Sequence, residues 1–101
     1  MTVAALATGV TAVAAAPAQA ADYLQVYGDP VLIPPGEFRL AEVDCPLGRV
    51  PTGGGYQTQG GQDIVVLDSY AVDRGWNAAG KNTGATEQSL MAFVICAVGE
   101  S

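Results

Sequence analysis

Apolar and polar residues follow one another in short runs along the chain from residue 23 onward. Gly and Pro interrupt these runs at a spacing of roughly 8–12 residues, which is typical of antiparallel β-sandwiches and barrels. The stretches between the interruptions are rich in Val, Ile, Leu, Tyr and Thr, most of which favour extended structure. The pattern predicts strands over 23–27, 31–33, 38–44, 50–59, 64–70, 76–81 and 90–98.

The last run, 90–98, differs from the others because it is apolar without interruption. Continuous apolar runs are typical of strands that are buried on both faces. A helix over 87–98 is the alternative, but Phe93, Val94 and Ile95 favour extended geometry. We therefore expect the last strand of an all-β domain to be a central one.

Residues 1–20 differ in composition from the rest of the chain. They carry no charged residue, are rich in Ala and end in Pro17-Ala18-Gln19-Ala20. An apolar stretch followed by small residues at the −3 and −1 positions is the pattern that signal peptidase accepts. The sequence thus predicts a signal peptide at 1–20 and a secreted domain at 21–101, with no membrane span after cleavage. Because Met1-Thr2-Val3 lacks the usual basic residue, we expect the true translation start to lie upstream.

All charged residues lie after residue 20, where four basic and ten acidic residues give a net charge of 4 − 10 = −6. An acidic surface repels a phosphate backbone, so the charge disfavours nucleic acid as a partner. It disfavours anionic membrane surfaces for the same reason. The partners that remain are extracellular proteins and cell-wall or glycan ligands, and the oligomeric state stays open.

The chain contains two cysteines, Cys45 and Cys96, and no His. An exported chain meets an oxidising compartment, which favours a disulfide between them. Closing so long a loop stabilises a fold by roughly 4 kcal/mol on the chain-entropy model. Two free thiols or half of a metal site are the alternatives, although a zinc site would lack ligands. The predicted fold is a small antiparallel β-sandwich or barrel-like unit with one disulfide.

From Cys45 onward, the sequence resembles a group of small secreted actinobacterial proteins of unassigned function. A similar arrangement occurs at the ends of some collagen-like, phage-tail and pilus-tip proteins. The resemblance implies a compact β unit whose first and last strands are tied by one disulfide. Pro51 departs from the pattern and, because it lacks an N–H, indicates an edge strand or a bulge. The resemblance rests on Cys45-Pro46-x-Gly48, Gly53-Gly54-Gly55-Tyr56, Ser69-Tyr70, Gly75-Trp76, Asn82-Thr83-Gly84 and Ala92-Phe93-Val94-Ile95-Cys96-Ala97.

Three consecutive glycines at 53–55 suggest a phosphate-binding loop. Such a loop needs Lys and then Ser or Thr after its second Gly. The corresponding positions hold Gly54 and Gly55, so the motif fails. We interpret the glycines as a bulge, or as bare backbone covered by a bulky neighbour such as Trp76 or Tyr70.

Trp76, Tyr56 and Tyr70 are the candidate ligand-binding residues. Aromatic side chains of this kind form sugar-stacking platforms on β scaffolds. The alternative for Trp76 is a core anchor, because burying so large an apolar side chain contributes strongly to a small core.

The acidic residues indicate no catalytic pair. Asp63, Asp68 and Asp73 recur every five residues, and Glu42 and Asp44 lie two apart. A glycosidase needs two carboxylates across a cleft, for which a domain this small has little room. No loop supplies the oxygen ligands that calcium requires. Without His, the commonest general base and the Ser-His and Cys-His nucleophiles are excluded, so we expect no enzymatic activity, cofactor or metal.

These observations lead to a non-enzymatic extracellular binding or interaction module whose ligand is unknown. Two alternatives stay open. A secreted protease inhibitor needs an exposed rigid loop, for which 71–75 and 29–36 are the candidates. A structural or assembly unit, such as a trimer, needs a buried interface, for which the apolar strand 90–98 is the candidate.

Overall fold

The computed structural model describes residues 22–99, so the predicted signal peptide at 1–20 lies outside the described residues. Within that range the chain forms strands and no helix, which confirms the all-β prediction and shows that the helical alternative for 87–98 is wrong. Every predicted strand is present, with small differences at the ends. The strands are β1 Tyr23–Tyr27, β2 Val31–Ile33, β3 Phe38–Asp44, β4 Arg49–Gln59, β5 Ile64–Val72, β6 Gly75–Asn82 and β7 Gln88–Val98.

The first sheet is built around β7. Strand β4 pairs antiparallel with one side of β7 along almost its whole length. Strands β1 and β2 share the other side of β7, one after the other, because Gly28-Asp29-Pro30 interrupts them. Strand β7 is therefore central, as predicted. Only one of its faces is fully buried, however, whereas the other is half-buried because no described element covers it.

The second sheet contains three antiparallel strands in the order β3–β6–β5. Strands β5 and β6 form a hairpin whose turn is Asp73-Arg74. A bulge lies in β5 between Val66 and Asp68. The two sheets pack face to face as a sandwich, in which alternate residues of each strand point to the core.

The core between the sheets combines large and very small side chains. Ala41 and Ala78 pair across β3 and β6, and both are fully buried. Their small size allows the facing side chains of the first sheet to approach closely. The buried core comprises Ile33, Ala41, Val43, Cys45, Ala78, Leu90, Ala92, Val94 and Cys96, with Trp76 among the partly buried residues around it.

A disulfide between Cys45 and Cys96 joins the two sheets, which confirms the predicted pairing. Cys45 follows β3 directly, and Cys96 lies in β7 with its Cα 5.9 Å from that of Cys45. The bridge therefore ties the third strand to the last, rather than the first to the last as the resemblance implied. Arg74 fixes the backbone at the disulfide, since its Nη2 donates a 2.9 Å hydrogen bond to the Cys45 carbonyl.

Strand β4 explains the position of Pro51. Among the strands of residues 22–99 it pairs with β7 alone, so it is an edge strand there, and its register shifts between Pro51 and Gly53. Both readings of this proline are confirmed: it lies in an edge strand and beside a bulge. The extra residue, Thr52, turns its hydroxyl to the Ile95 carbonyl and donates a hydrogen bond of 3.0 Å.

Candidate ligand-binding face

Trp76, one of the predicted ligand-binding residues, faces the interior of the sandwich. Its indole Nε1 donates a 2.9 Å hydrogen bond to the Ser69 hydroxyl on the neighbouring strand. Its ring lies across Gly54 of the opposite sheet, where a Cβ would come within 2.5 Å of the indole Cδ2. The tryptophan is therefore the bulky neighbour expected for the glycine run, and most of its contacts hold the two sheets together.

Of the other two predicted residues, Tyr70 lies on a different face, whereas Tyr56 points to the same inner side of β4 as Gly54. Tyr70 pairs with Asn77 and therefore points to the outer face of the second sheet, opposite to Trp76. Tyr56 lies on β4, two residues from Gly54, and is 45% exposed at the edge of the first sheet. The structure thus does not bring the three aromatic residues together as one platform. Within the described residues, the aromatic ring pair is instead Tyr27 with Phe93.

The outer face of the first sheet carries a different set of side chains, and we call it the uncharged face. On β7, Leu90, Ala92, Val94 and Cys96 point to the core, so the alternate residues and their cross-strand partners point outward. None of these outward positions in the four described strands holds a charged residue. They are Tyr23, Gln25, Tyr27, Leu32, Val50, Gly53, Gly55, Gln57, Gln59, Ser89, Met91, Phe93, Ile95 and Ala97.

An aromatic row crosses the middle of the uncharged face. Phe93 is the cross-strand partner of both Tyr27 and Gly55. Its ring leans over Gly55, where a Cβ would lie 2.8 Å from the Phe93 Cζ, so only glycine fits beneath it. On the other side, the Tyr27 and Phe93 ring centroids are 6.0 Å apart at an interplanar angle of 50°. Such tilted pairs are favourable contacts between aromatic rings.

The edge of this face is formed by β1, where tyrosine and glutamine alternate. Tyr23 is 62% exposed and Tyr27 is 51% exposed, although both are large side chains. Gln25 lies between them, and its Nε2 donates a 3.0 Å hydrogen bond to the Tyr27 hydroxyl. The amide thereby orients the phenol, and the Gln25 side chain is itself exposed.

An open depression of about 240 Å³ lies at one end of the uncharged face. Leu32, Ser89 and Gln59 form one row across the three strands at this end, and Leu32 is 57% exposed. Glu87 borders the depression from outside the strands. The strand residues of the wall combine one apolar side chain with amide and hydroxyl groups, and Glu87 adds one carboxylate at the border, so the depression suits a polar ligand.

A second depression, of about 350 Å³, lies on the outer face of the second sheet. Its lining includes Glu42, Asp44 and Asn77, so it is acidic where the uncharged face is neutral. Within residues 22–99, no three acidic or cysteine side chains are grouped closely enough to hold a metal ion.

The Asn82-Thr83-Gly84 motif forms the end of the core. Asn82 is fully buried, and its Nδ2 donates 2.8 Å hydrogen bonds to the carbonyls of Ile33 and Thr86. Its Oδ1 accepts a 2.8 Å hydrogen bond from the Gly84 amide. All the hydrogen-bonding atoms of this amide side chain therefore serve to hold the following loop against β2.

Asp63 and Gln88 complete the same cluster. The Gln88 Oε1 accepts a hydrogen bond from the Asp63 amide, and its Nε2 donates one to the Asp63 carboxylate. Thr83 donates to the Asp63 carbonyl through both its amide and its hydroxyl. Gly84 is needed because a Cβ there would lie 2.5 Å from the Asp63 Oδ2. We call Asp63, Asn82, Thr83, Gly84 and Gln88 the polar cluster.

The two segments considered for an inhibitor loop are both held in place. Residues 71–75 consist of strand ends and the Asp73-Arg74 turn, with Arg74 bonded to the Cys45 carbonyl. Residues 29–36 contain β2, whose Ile33 is fully buried. Both segments also contain exposed residues, such as Asp73 and Pro35, so the inhibitor alternative stays a prediction.

Sequence reasoning pointed to the one tryptophan and two tyrosines but missed Tyr23, Tyr27 and Phe93. The signal for the first two was present in the alternation Tyr-x-Gln-x-Tyr over 23–27, which places all three side chains on one face of a strand. For Phe93 no local signal exists, because the run 90–98 is apolar on both faces.

The chain matches no known family model, no curated protein and no solved structure. Among residues 22–99, no helix is long and apolar enough to cross a membrane. The candidate site therefore depends on the geometry of the two sheets alone.

Proposed function

We propose that the protein is a non-enzymatic extracellular binding module whose uncharged face binds a neutral polysaccharide. The observation that carries the proposal is the complete lack of charged residues at the outward positions of the first sheet, in a chain of net charge −6. Charged residues lie mostly at protein surfaces, and large exposed patches with apolar side chains and no charge are typical of interaction sites.

The side chains on this face match the chemistry of a sugar chain. Tyr23, Tyr27 and Phe93 offer apolar ring surfaces against which the C–H faces of sugar rings pack. Gln25 and Gln57 offer both donors and acceptors for sugar hydroxyls. A polyanion would be repelled by the net charge of the chain, and a cation would prefer the acidic depression on the other sheet.

The extracellular assignment rests on two features. The disulfide joins two buried cysteines that lie far apart in sequence, and such bonds persist in oxidising compartments. The predicted signal peptide at 1–20 would carry the chain there. No histidine is present in the chain to act as a general base, which favours binding over catalysis.

The test is co-sedimentation of the purified, oxidised protein with insoluble neutral polysaccharides and with cell-wall preparations. A Tyr23→Ala/Tyr27→Ala variant removes the two most exposed rings of the uncharged face. A Tyr70→Ala variant is the matched control, because Tyr70 is 44% exposed on the opposite sheet. Circular dichroism and thermal unfolding establish that each variant is folded.

We expect saturable pelleting with a neutral polysaccharide that the double variant loses and the Tyr70→Ala variant retains. If the double variant and the Tyr70→Ala variant lost pelleting to the same extent, the uncharged face would be excluded as the binding site. Binding only to anionic wall polymers, or to none of these materials, would contradict the polysaccharide proposal and direct the search to a protein partner.

A further inference from the structure

Strand β4 has one unpaired edge. It pairs with β7 on one side, and no described strand pairs with the other side. An unpaired strand edge presents a row of N–H and C=O groups that can accept another strand, and proteins usually protect such edges. The sandwich has further edges at β1 with β2, at β3 and at β5, which allows a comparison.

The other edges are protected in recognisable ways. The β1–β2 edge is short and is interrupted by Gly28-Asp29-Pro30. Strand β3 carries Arg39, Glu42 and Asp44, whose charges oppose the approach of a second strand. Strand β5 contains Asp68 beside its bulge. Bulges, charges, prolines and short strands are the usual means of blocking edge-to-edge association.

Strand β4 has such protection only at its beginning. Pro51 and the register shift lie there, but the seven residues from Gly53 to Gln59 pair with β7 in unbroken register. This segment, Gly-Gly-Gly-Tyr-Gln-Thr-Gln, contains no charge and no proline. We call it the open segment. Its three glycines have no side chains that would hinder the approach of another backbone.

We propose that the open segment pairs antiparallel with the open segment of a second copy of this chain. A two-fold axis at Tyr56 would place Gly55 opposite Gln57 and Gly53 opposite Gln59 of the second copy. Such pairing is isologous, because the same surface serves on both copies. This self-association goes beyond the proposed function and needs no ligand.

The charge distribution makes the open segment the edge at which a second copy meets the least repulsion. Two chains of net charge −6 repel each other, and the open segment is a surface where no charge faces the partner. The nearest charged residues along the chain are Arg49 before the segment and Asp63 after it. Arg49 is ion-paired with Asp22 of its own chain, and the Asp63 carboxylate accepts a hydrogen bond from Gln88, so both charges beside the open segment already have partners.

The pairing also has a consequence for the uncharged face. In an antiparallel pair with the axis at a residue, opposed side chains lie on the same face. Gln57 and Gln59 point outward on β4, so the two first sheets would join into one continuous sheet. The two uncharged faces would then form a single binding surface of twice the width.

Sedimentation equilibrium of the purified, oxidised protein, without any polysaccharide, tests this inference. We expect the mass of two chains at high concentration and reversible dissociation on dilution. Gln57→Lys places a charge on the open segment and should weaken the dimer at least about tenfold. Gln25→Lys is the matched control, since it places the same charge on the opposite edge of the same face, and it should leave the dimer within about twofold.

Hydrogen–deuterium exchange gives a second measurement that does not depend on a variant. Amides of residues 53–59 should exchange more slowly as the protein concentration rises, while those of β3 and β5 should not change. A single-chain mass up to millimolar concentration would overturn the inference. So would a dimer in which Gln57→Lys has no effect or the exchange of 53–59 is independent of concentration. The polysaccharide test is separate, because a monomer can still bind.

Discussion

The uncharged face and the polar cluster show opposite uses of conspicuous residues. The polar cluster contains Asn82, Thr83 and Gly84, a motif that stands out in the sequence, and every hydrogen-bonding group of the Asn82 side chain is used inside the protein. The uncharged face also contains motif residues such as Gly55 and Phe93, but Tyr23 and Gln25 on its exposed edge belong to no motif, and their side chains face solvent. In this domain, the prominent motif maintains the fold, and the surface available to a ligand is defined by alternation along strands.

This difference has a physical cause. A polar side chain in the core costs free energy unless all its hydrogen bonds are made, so its neighbours are restricted in identity. An exposed side chain on a sheet faces no such restriction, and only its position on the outer face matters. Variants in the polar cluster should therefore change stability, and variants on the uncharged face should change binding.

The largest effect is expected for Asn82→Ala. The substitution leaves the carbonyls of Ile33 and Thr86 and the amide of Gly84 without their partner, at a cost of about 2–4 kcal/mol in the free energy of unfolding. Urea denaturation measures it. Asn77→Ala is the control, because Asn77 is half-buried and its side chain makes no hydrogen bond within the described residues, and it should cost under about 0.5 kcal/mol. Equal losses would show that the buried amide has no special role.

Gly54→Ala should have the next largest effect. A Cβ at this position would meet the indole of Trp76 and lie 2.6 Å from the Phe93 carbonyl oxygen. Forcing the two sheets apart should cost about 1–3 kcal/mol. Gly53→Ala is a control one residue away, where a Cβ would meet nothing within 4 Å. It should be neutral or slightly stabilising, because alanine restricts the unfolded chain. Thermal unfolding of both variants checks the contrast, and a neutral Gly54→Ala would contradict the packing described.

Tyr23→Ala should have the opposite effect to the two preceding substitutions, with little change in stability and a clear loss of binding. Tyr23 is 62% exposed, so its removal should change the free energy of unfolding by under about 0.5 kcal/mol. Its effect on polysaccharide affinity should be about tenfold, which corresponds to ~1.4 kcal/mol. Isothermal titration with a soluble oligosaccharide of the bound polymer, beside urea denaturation, separates the two quantities. A variant that loses stability and keeps its affinity would break the comparison.

A change in salt concentration should have the smallest effect on ligand affinity. A neutral ligand on a face without charges gains little from Coulomb attraction, so its affinity should change less than about twofold between 0.01 M and 1 M NaCl. The same titration repeated at both ionic strengths measures this. A strong decrease in affinity at high salt would mean that the ligand is held by charged residues outside the uncharged face.

Much of the fold was predictable because its determinants are local. Alternation and turn residues predicted the strands, and Pro51 indicated an edge strand or a bulge, both of which occur in β4. The pairing of Cys45 with Cys96 followed from their number. The order of strands in each sheet was not predictable, since it depends on which apolar faces meet in three dimensions.

The site was harder to predict than the fold. Trp76 was predicted as a ligand-binding residue because it is the one tryptophan of the chain. Its size makes it equally suited to the interior of the sandwich, where its ring covers Gly54. Tyr27 and Phe93 are 66 residues apart in sequence (93 − 27) and meet only because β1 pairs with β7. No pattern within either strand contains that information.

The bond between Cys45 and Cys96 also determines what happens when the backbone is cut. Hydrolysis of one peptide bond anywhere between the two cysteines leaves two fragments that remain a single covalent molecule. A nick in the Gly60-Gly61 turn would separate β1 to β4 from β5 to β7 in sequence, yet the bond from Cys45, after β3, to Cys96 in β7 would still join the two fragments. The uncharged face is therefore contributed by two halves that stay covalently joined after a single cut, which would suit the extracellular role proposed above.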